Sequence, residues 1–166
     1  MCDWFLRQLE EDAEFLSSVM FSDQANFYVK GEVNRQNVRY WSDTNPHWFT
    51  DNKQQGADRV MVWCGLWKDR LFGPYFFYGN VTSDMYLSVL KELMAHLNIF
   101  GSRPAWFMQD GAPPHYSLEM RRCLNQTFPG HWIGRRGLVE LAPRSPDLNP
   151  LDFSIWGYLK AIKCTR

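Results

Sequence analysis

At 166 residues, with 45% hydrophobic and 16% aromatic content, the chain can bury a core as one domain without staples, and no second full domain is expected. Its cysteines, Cys2, Cys64, Cys123 and Cys164, form no CxxC or Cys/His cluster, which argues against a zinc site or a disulfide framework and makes a reducing compartment the default. No apolar run approaches ~18 residues and no signal-peptide layout opens the chain, so a soluble intracellular protein is expected, and the formal net charge of +0 neither favours nor excludes a polyanionic partner.

Trp4 to Leu16, with Phe5, Leu6, Leu9 and Leu16 among acids, predicts a short amphipathic helix. Val19 to Asp23 follows as a strand that ends at its aspartate, and Asn26 to Val29 begins an antiparallel partner. Gly31 to Asp58 is polar and punctuated by Asn-Pro and Gln-Gln-Gly, the composition of loops or irregular hairpins. Arg59 to Trp67 has little alternation, as a central strand covered on both faces should, and Leu71 to Tyr78 is a second strand whose Gly73-Pro74 favours a bulge or an edge. Thr82 or Ser83 caps a helix whose inward face is Tyr86, Val89, Leu90, Leu93, Met94 and Leu97. Ala105 to Asp110 repeats the pattern of a short strand terminating in an aspartate. His115 to Phe128 then carries Met120, Cys123, Leu124 and Phe128 at helical spacing, and Leu138 to Leu141 is a strand candidate. A last helix starts near Pro150 with Asn149 as cap and Leu151, Ile155, Leu159 and Ile162 inward. The order implies an α/β domain with a mixed sheet.

Functional groups of open α/β sheets gather at strand carboxyl ends, and here two strands each deliver an aspartate, Asp23 and Asp110. Carboxylates brought that close need a cation or a shared proton between them. With Asp152 in the first turn of the last helix, three hard oxygen donors describe a two-magnesium site, its ions about 3.5–4 Å apart. Each acid also has a structural reading: Asp23 and Asp110 as turn residues, Asp152 as a first-turn or capping-box acid. The charge is unevenly placed. Acids Asp3, Glu10, Glu11, Asp12 and Glu14 dominate residues 1–20. Beyond Gly111, Arg121, Arg122, Arg135, Arg136, Arg144, Lys160, Lys163 and Arg166 outnumber Glu119, Glu140, Asp147 and Asp152. Such a basic half suits phosphate contacts, although scattered surface charge is the commoner cause.

The wording around the acids resembles mariner-type transposases of the DDE/D superfamily, over nearly the whole chain and in the same order. Phe21-Ser22-Asp23-Gln24-Ala25 resembles the first acidic motif, and Val33-Asn34-Arg35-Gln36-Asn37-Val38-Arg39-Tyr40-Trp41 with Asn45-Pro46-His47 the stretch after it in one branch. Val60 to Gly65 resembles the central strand, Gln109-Asp110-Gly111-Ala112-Pro113-Pro114-His115 the second motif, and Ser145-Pro146-Asp147-Leu148-Asn149-Pro150-Leu151-Asp152 the third.

The resemblance implies a ribonuclease-H-like mixed sheet flanked by helices, which cuts transposon ends and joins them to target DNA. It makes Asp23, Asp110 and Asp152 the catalytic ligands of two Mg2+ or Mn2+ ions. His115 would orient phosphate or a neighbouring ligand, unless it is a capping or core residue. Arg135 and Arg136 would contact DNA, against an equal reading of plain surface exposure. The tryptophans read as mostly core, with Trp132 a candidate for stacking on a base. DNA is the implied partner and the nucleus the implied location. A homodimer is left open, and neither a membrane nor a small-molecule organic cofactor is implied. Two departures stand out: Gln24 replaces the glutamate that usually follows the first aspartate, and the family's helix-turn-helix region has no room here, as in a truncated copy. The alternative is a catalytically silent nucleic-acid-binding module derived from a transposase.

Overall fold

The structure, a computed structural model, describes residues 2–28, 59–99, 101, 103–142 and 145–163. The loop expectation for Gly31 to Asp58 and the motif through His47 lie outside those residues. Among the described residues five strands form one mixed sheet. They are β1 (Val19–Tyr28), β2 (Arg59–Trp67), β3 (Arg70–Tyr78), β4 (Trp106–Met108) and β5 (Trp132–Ile133), in the order β3-β2-β1-β4-β5. β1 runs antiparallel to β2 and parallel to β4, and β4 is parallel to β5. Helices α1 (Cys2–Glu11), α2 (Ser83–Ile99), α3 (Leu118–Thr127) and α4 (Trp156–Lys163) complete the α/β architecture expected from the sequence.

The alternation of strand side chains sorts the core onto two faces. Met20, Trp63, Phe107 and Trp132 pack with α2 and α3 through Tyr86, Leu90, Leu93, Met120 and Leu124. Val19, Met108 and Ile133 pack on the opposite face with Phe5 and Phe15, and Ala25, Val62 and Cys64 do so with Leu151 and Trp156. Burial of each large apolar side chain contributes about 1.5–3 kcal/mol, so both faces are needed to hold the sheet.

The α2 face is as the 3.6-residue period predicts: Tyr86, Val89, Leu90, Leu93 and Leu97 are buried and Met94 is half-buried. The Thr82 hydroxyl accepts the Met85 N–H at 3.3 Å, which makes Thr82 the capping residue. Thr82→Ala is therefore expected to lower stability by about 0.5–1 kcal/mol, seen as a lower urea midpoint at unchanged m. An unchanged midpoint would show that the cap is idle.

β3 lies at the sheet edge, as Gly73-Pro74 suggested, and the register of β2 with β3 shifts between Trp63 and Gly65. β2 is an inner strand, but the middle position belongs to β1.

Several expectations are corrected. The first helix stops at Glu11, a separate 3-10 turn covers Phe15–Ser18, and Phe5 and Phe15 are buried while Leu6 and Leu16 are exposed. β1 does not end at Asp23. It continues to Tyr28 as one ten-residue strand, because ladder bonds to β2 join backbone groups whatever the polarity of Ser22, Asp23 and Gln24. Leu138 to Leu141 is no strand: only Val139 bridges to Ile133, and Trp132–Ile133 takes the sheet position instead.

The last helix begins with a π-type turn, Leu151–Ile155, in which the Trp156 N–H donates to the Leu151 carbonyl. One extra residue in the turn advances the inward face, so Trp156 is buried while Leu159 and Ile162 are 37% and 49% exposed. Trp132 is only 2% exposed, with its indole N–H donating to Asn125 Oδ1 at 2.8 Å, and it is a core residue with no ring face for a base.

Candidate active site

β1 pairs with β4 only through Val19, Met20 and Phe21, and beyond that point a cleft opens. Phe21 is level with Met108, so Asp23 and Asp110, each two residues further on, stand level across the gap. Asp23 is thus delivered from within a strand that is still paired to β2, opposite Cys64. Asp110 follows the end of β4. The third acid arrives through Asn149, whose Nδ2 donates to the Ser22 carbonyl at 3.1 Å while its Oδ1 accepts the Leu151 N–H at 3.1 Å. Asn149 is buried, and it ties the start of the last helix to the strand residue beside Asp23. Asp23, Asp110 and Asp152 all line one cleft of about 730 Å³, together with Gln24, Arg135 and Glu140.

Below Asp110 lies a buried polar scaffold. His115 is 2% exposed, pairs through Nδ1 with Asp110 Oδ1, and stacks on Tyr86 with ring centroids 4.0 Å apart. Gln109, also buried, donates from Nε2 to the His115 carbonyl at 2.6 Å and accepts the Tyr86 hydroxyl at 3.1 Å. The Ala112 N–H donates to Asp110 Oδ1 at 3.1 Å. His115 is therefore enclosed under the acid it contacts. It meets Asp110 from the core side, through Nδ1.

The electrostatics separate the three acids. Burial, then the negative charges of Asp152 and Asp110, push the Asp23 carboxyl well above the usual carboxylate range, against the pull of the Gln24 N–H and the Trp156 indole. Burial and Asp110 also raise Asp152, opposed by its hydrogen bond with Asp23 and by the charge of Lys160. For Asp110 burial works upward too, but the hydrogen bond and charge of His115, with the Ala112 N–H, outweigh it and hold the group below its ordinary value. The Cys64 thiol opposite Asp23 is pushed up to about 11 by burial and by the Asp23 charge.

The donor chemistry fits a hard divalent cation. Three carboxylates face one cleft, and for two of them ionisation is resisted by burial and mutual repulsion, a cost that a doubly charged ion among them removes. Among the described residues no three His, Cys, Asp or Glu side chains are gathered closely enough to hold a metal ion as they stand. Asp110 is held by His115, and Asp23 by the Trp156 indole at 2.7 Å.

Arg135 lines the cleft with its guanidinium 4.1 Å from the Tyr116 ring centroid. Its side chain packs on Gly111, where an added Cβ would lie 3.4 Å from Arg135 Cβ. Arg136 stands over the same ring at 5.5 Å, exposed, and with a left-handed φ of 63°. Asp147 is exposed in the 3-10 turn Pro146–Leu148 and does not line the cleft. Glu140 also lines the cleft, and Trp156 holds Asp23 through a contact 133 positions away that no pattern within its own helix announces.

No family model matches the chain. It is 29% identical over 148 residues to the transposable element Tc3 transposase of Caenorhabditis elegans, which takes in 88% of this chain and 42% of that protein. It is 26% identical over 156 residues to the transposable element Tcb1 transposase of Caenorhabditis briggsae, covering 90% of this chain and 54% of that one. The chain thus spans about half the length of the curated relatives it matches. Among solved structures, the Mos1 mariner paired-end complex with Mn superposes with a TM-score of 0.71 at 18% identity, over 99% of this chain and 47% of that one. The catalytic domain of Mos1 mariner transposase gives 0.67 at 17% identity, over 99% and 69%. The chain is homologous to the Tc3 and Tcb1 transposases and has the ribonuclease-H-like fold of a mariner-type transposase catalytic domain.

Proposed function

We propose that this chain is a single catalytic domain that cleaves DNA strands and transfers them, with Asp23, Asp110 and Asp152 as the catalytic carboxylates holding two Mg2+ or Mn2+ ions. The observation that carries this reading is the meeting of three acids from separate parts of the sequence in one cleft, in a homologue of transposases. When bound, such ions lower the pKa of an attacking water or 3′-hydroxyl and neutralise charge on the leaving oxygen. The chain's own residues hold the acids apart and in place. Asn149 fixes the helix start that bears Asp152, and His115 and the Ala112 N–H keep Asp110 ionised and oriented. Arg135, held by Tyr116 and Gly111, sets a fixed positive charge at the cleft rim for a backbone phosphate, with Arg136 beside it. Relatives solved with DNA ends and with Mg or Mn support the same assignment of partner and cofactor. Transposon DNA as substrate places the action in the nucleus.

Titration of Mg2+ or Mn2+ into the protein with supercoiled plasmid tests this reading: nicking that follows the cation and stops with a chelator is expected. Plasmid binding without nicking at any cation concentration would instead establish a silent DNA-binding module, a reading favoured by Gln24, which lines the cleft where the resembled family has a glutamate. DNA affinity should fall steeply with salt, and Arg135→Ala should lower the slope of log affinity against log salt by about one. A salt-insensitive affinity in a mobility-shift series would remove the phosphate-contact role.

A further inference from the structure

We propose that Trp156 is a positioning residue for Asp23: its indole N–H fixes one carboxylate oxygen and thereby decides which oxygen faces the cation in the cleft. The inference rests on the metal-dependent reading above and adds a residue to it. Trp156 Nε1 donates to Asp23 Oδ2 at 2.7 Å, the length of a charge-assisted bond. Indole nitrogen is a donor only, so it serves an acceptor oxygen, and Oδ2 is the oxygen it engages. The ring is 3% exposed and packs edge-on against Phe27, with centroids 6.1 Å apart, so its direction is fixed by the core.

The backbone is built for this contact. A regular helix from Pro150 would carry Leu151, Ile155 and Leu159 inward. The π-type turn at Leu151–Ile155 inserts one residue and turns Trp156 under β1 instead. The same turn carries Asp152. Turns of this kind inside α-helices are concentrated at functional sites, because they re-aim a side chain at the expense of one regular hydrogen bond. Here a single irregularity brings one acid to the cleft and clamps another.

A core-filling role makes a different prediction from a positioning role, and Trp156→Phe separates them by keeping an aromatic ring while removing the N–H. Mn2+ binding to the wild-type chain, Trp156→Phe, Asp23→Asn and the double variant is measured by the electron paramagnetic resonance of free Mn2+. The positioning role predicts a loss of about 10- to 100-fold in Mn2+ affinity for Trp156→Phe, and no further loss when Asp23→Asn is already present. Unchanged affinity, or the same loss in both backgrounds, overturns it. A second readout needs neither activity nor metal. In the 15N-correlated spectrum the indole resonance lost in Trp156→Phe should be the one that shifts in Asp23→Asn, and an indole set unmoved by Asp23→Asn overturns the contact. If Trp156→Phe does not fold, the Asp23→Asn spectrum alone decides, since position 156 is then intact. If the wild-type chain binds no Mn2+, the metal reading falls by itself, and a shifted indole resonance still supports the contact.

Discussion

Asp152→Ala is expected to abolish cation-dependent plasmid nicking, by about a thousandfold or more, while Asp147→Ala leaves the rate within a few-fold of wild type and changes stability by about 1 kcal/mol or less. Loss of a metal-holding carboxylate removes several kcal/mol of transition-state charge stabilisation, and each 1.36 kcal/mol is about tenfold in rate. Only five residues separate the two acids, so sequence distance does not choose between them. Their surroundings do. Asp152 lines the cleft from a turn anchored to β1 by Asn149, whereas Asp147 is exposed outside it. An exposed side chain away from caps and networks contributes little to stability. The reverse pattern, activity lost with Asp147→Ala and kept with Asp152→Ala, would show that the final carboxylate has been misassigned.

The second large effect has an unusual sign: Asp23→Asn is expected to raise the thermal midpoint of the cation-free protein at pH 7. Burial and the charges of Asp152 and Asp110 hold the folded-state pKa of Asp23 above its unfolded value. A raised folded pKa means that the folded state binds the proton more tightly. The associated stability is therefore fully present below the unfolded pKa, near 3.9, and is lost as pH rises through the folded value. The wild-type chain therefore keeps less of it at pH 7 than at pH 4. Asparagine has no charge to desolvate or repel and keeps an oxygen for the Trp156 N–H. A gain of roughly 1–2 kcal/mol is expected, with each kcal/mol worth about 2–4 °C in a domain of this size. The advantage should shrink toward pH 4 and reverse when Mn2+ is added, because only the carboxylate offers the cation a negative ligand. Scanning calorimetry at pH 7 and pH 4 with a chelator present decides the matter. A lower midpoint for Asp23→Asn at pH 7, or a difference independent of pH, would mean that the cleft acids are not in conflict.

Destabilisation of this kind explains why the sequence could be read for the acids and not for their geometry. Asp23, Asp110 and Asp152 were visible because polar residues that interrupt apolar runs stand out against the pattern around them. The scaffold that holds them is made of residues whose roles depend on distant partners. Ser22 donates to Met108, Asn149 to Ser22, and Trp156 to Asp23 across 133 positions. His115 was singled out by its place after Asp110, while its stacking on Tyr86, 29 positions earlier, has no local signal.

Local periodicity determined the elements whose signal is repeated within one segment. The buried face of α2 follows from side chains recurring at 3.6-residue spacing, the extent of β2 from a continuous apolar run, and the edge position of β3 from a proline that cannot sit in an inner ladder. Tertiary structure decided what backbone pairing and packing set between segments. β1 runs on through Asp23 because β2 supplies its hydrogen bonds. β5 exists because two residues beside β4 complete a sheet edge, though two residues carry no pattern. The last helix turns Trp156 inward because the buried indole has an acceptor in Asp23, which no period within the helix could reveal.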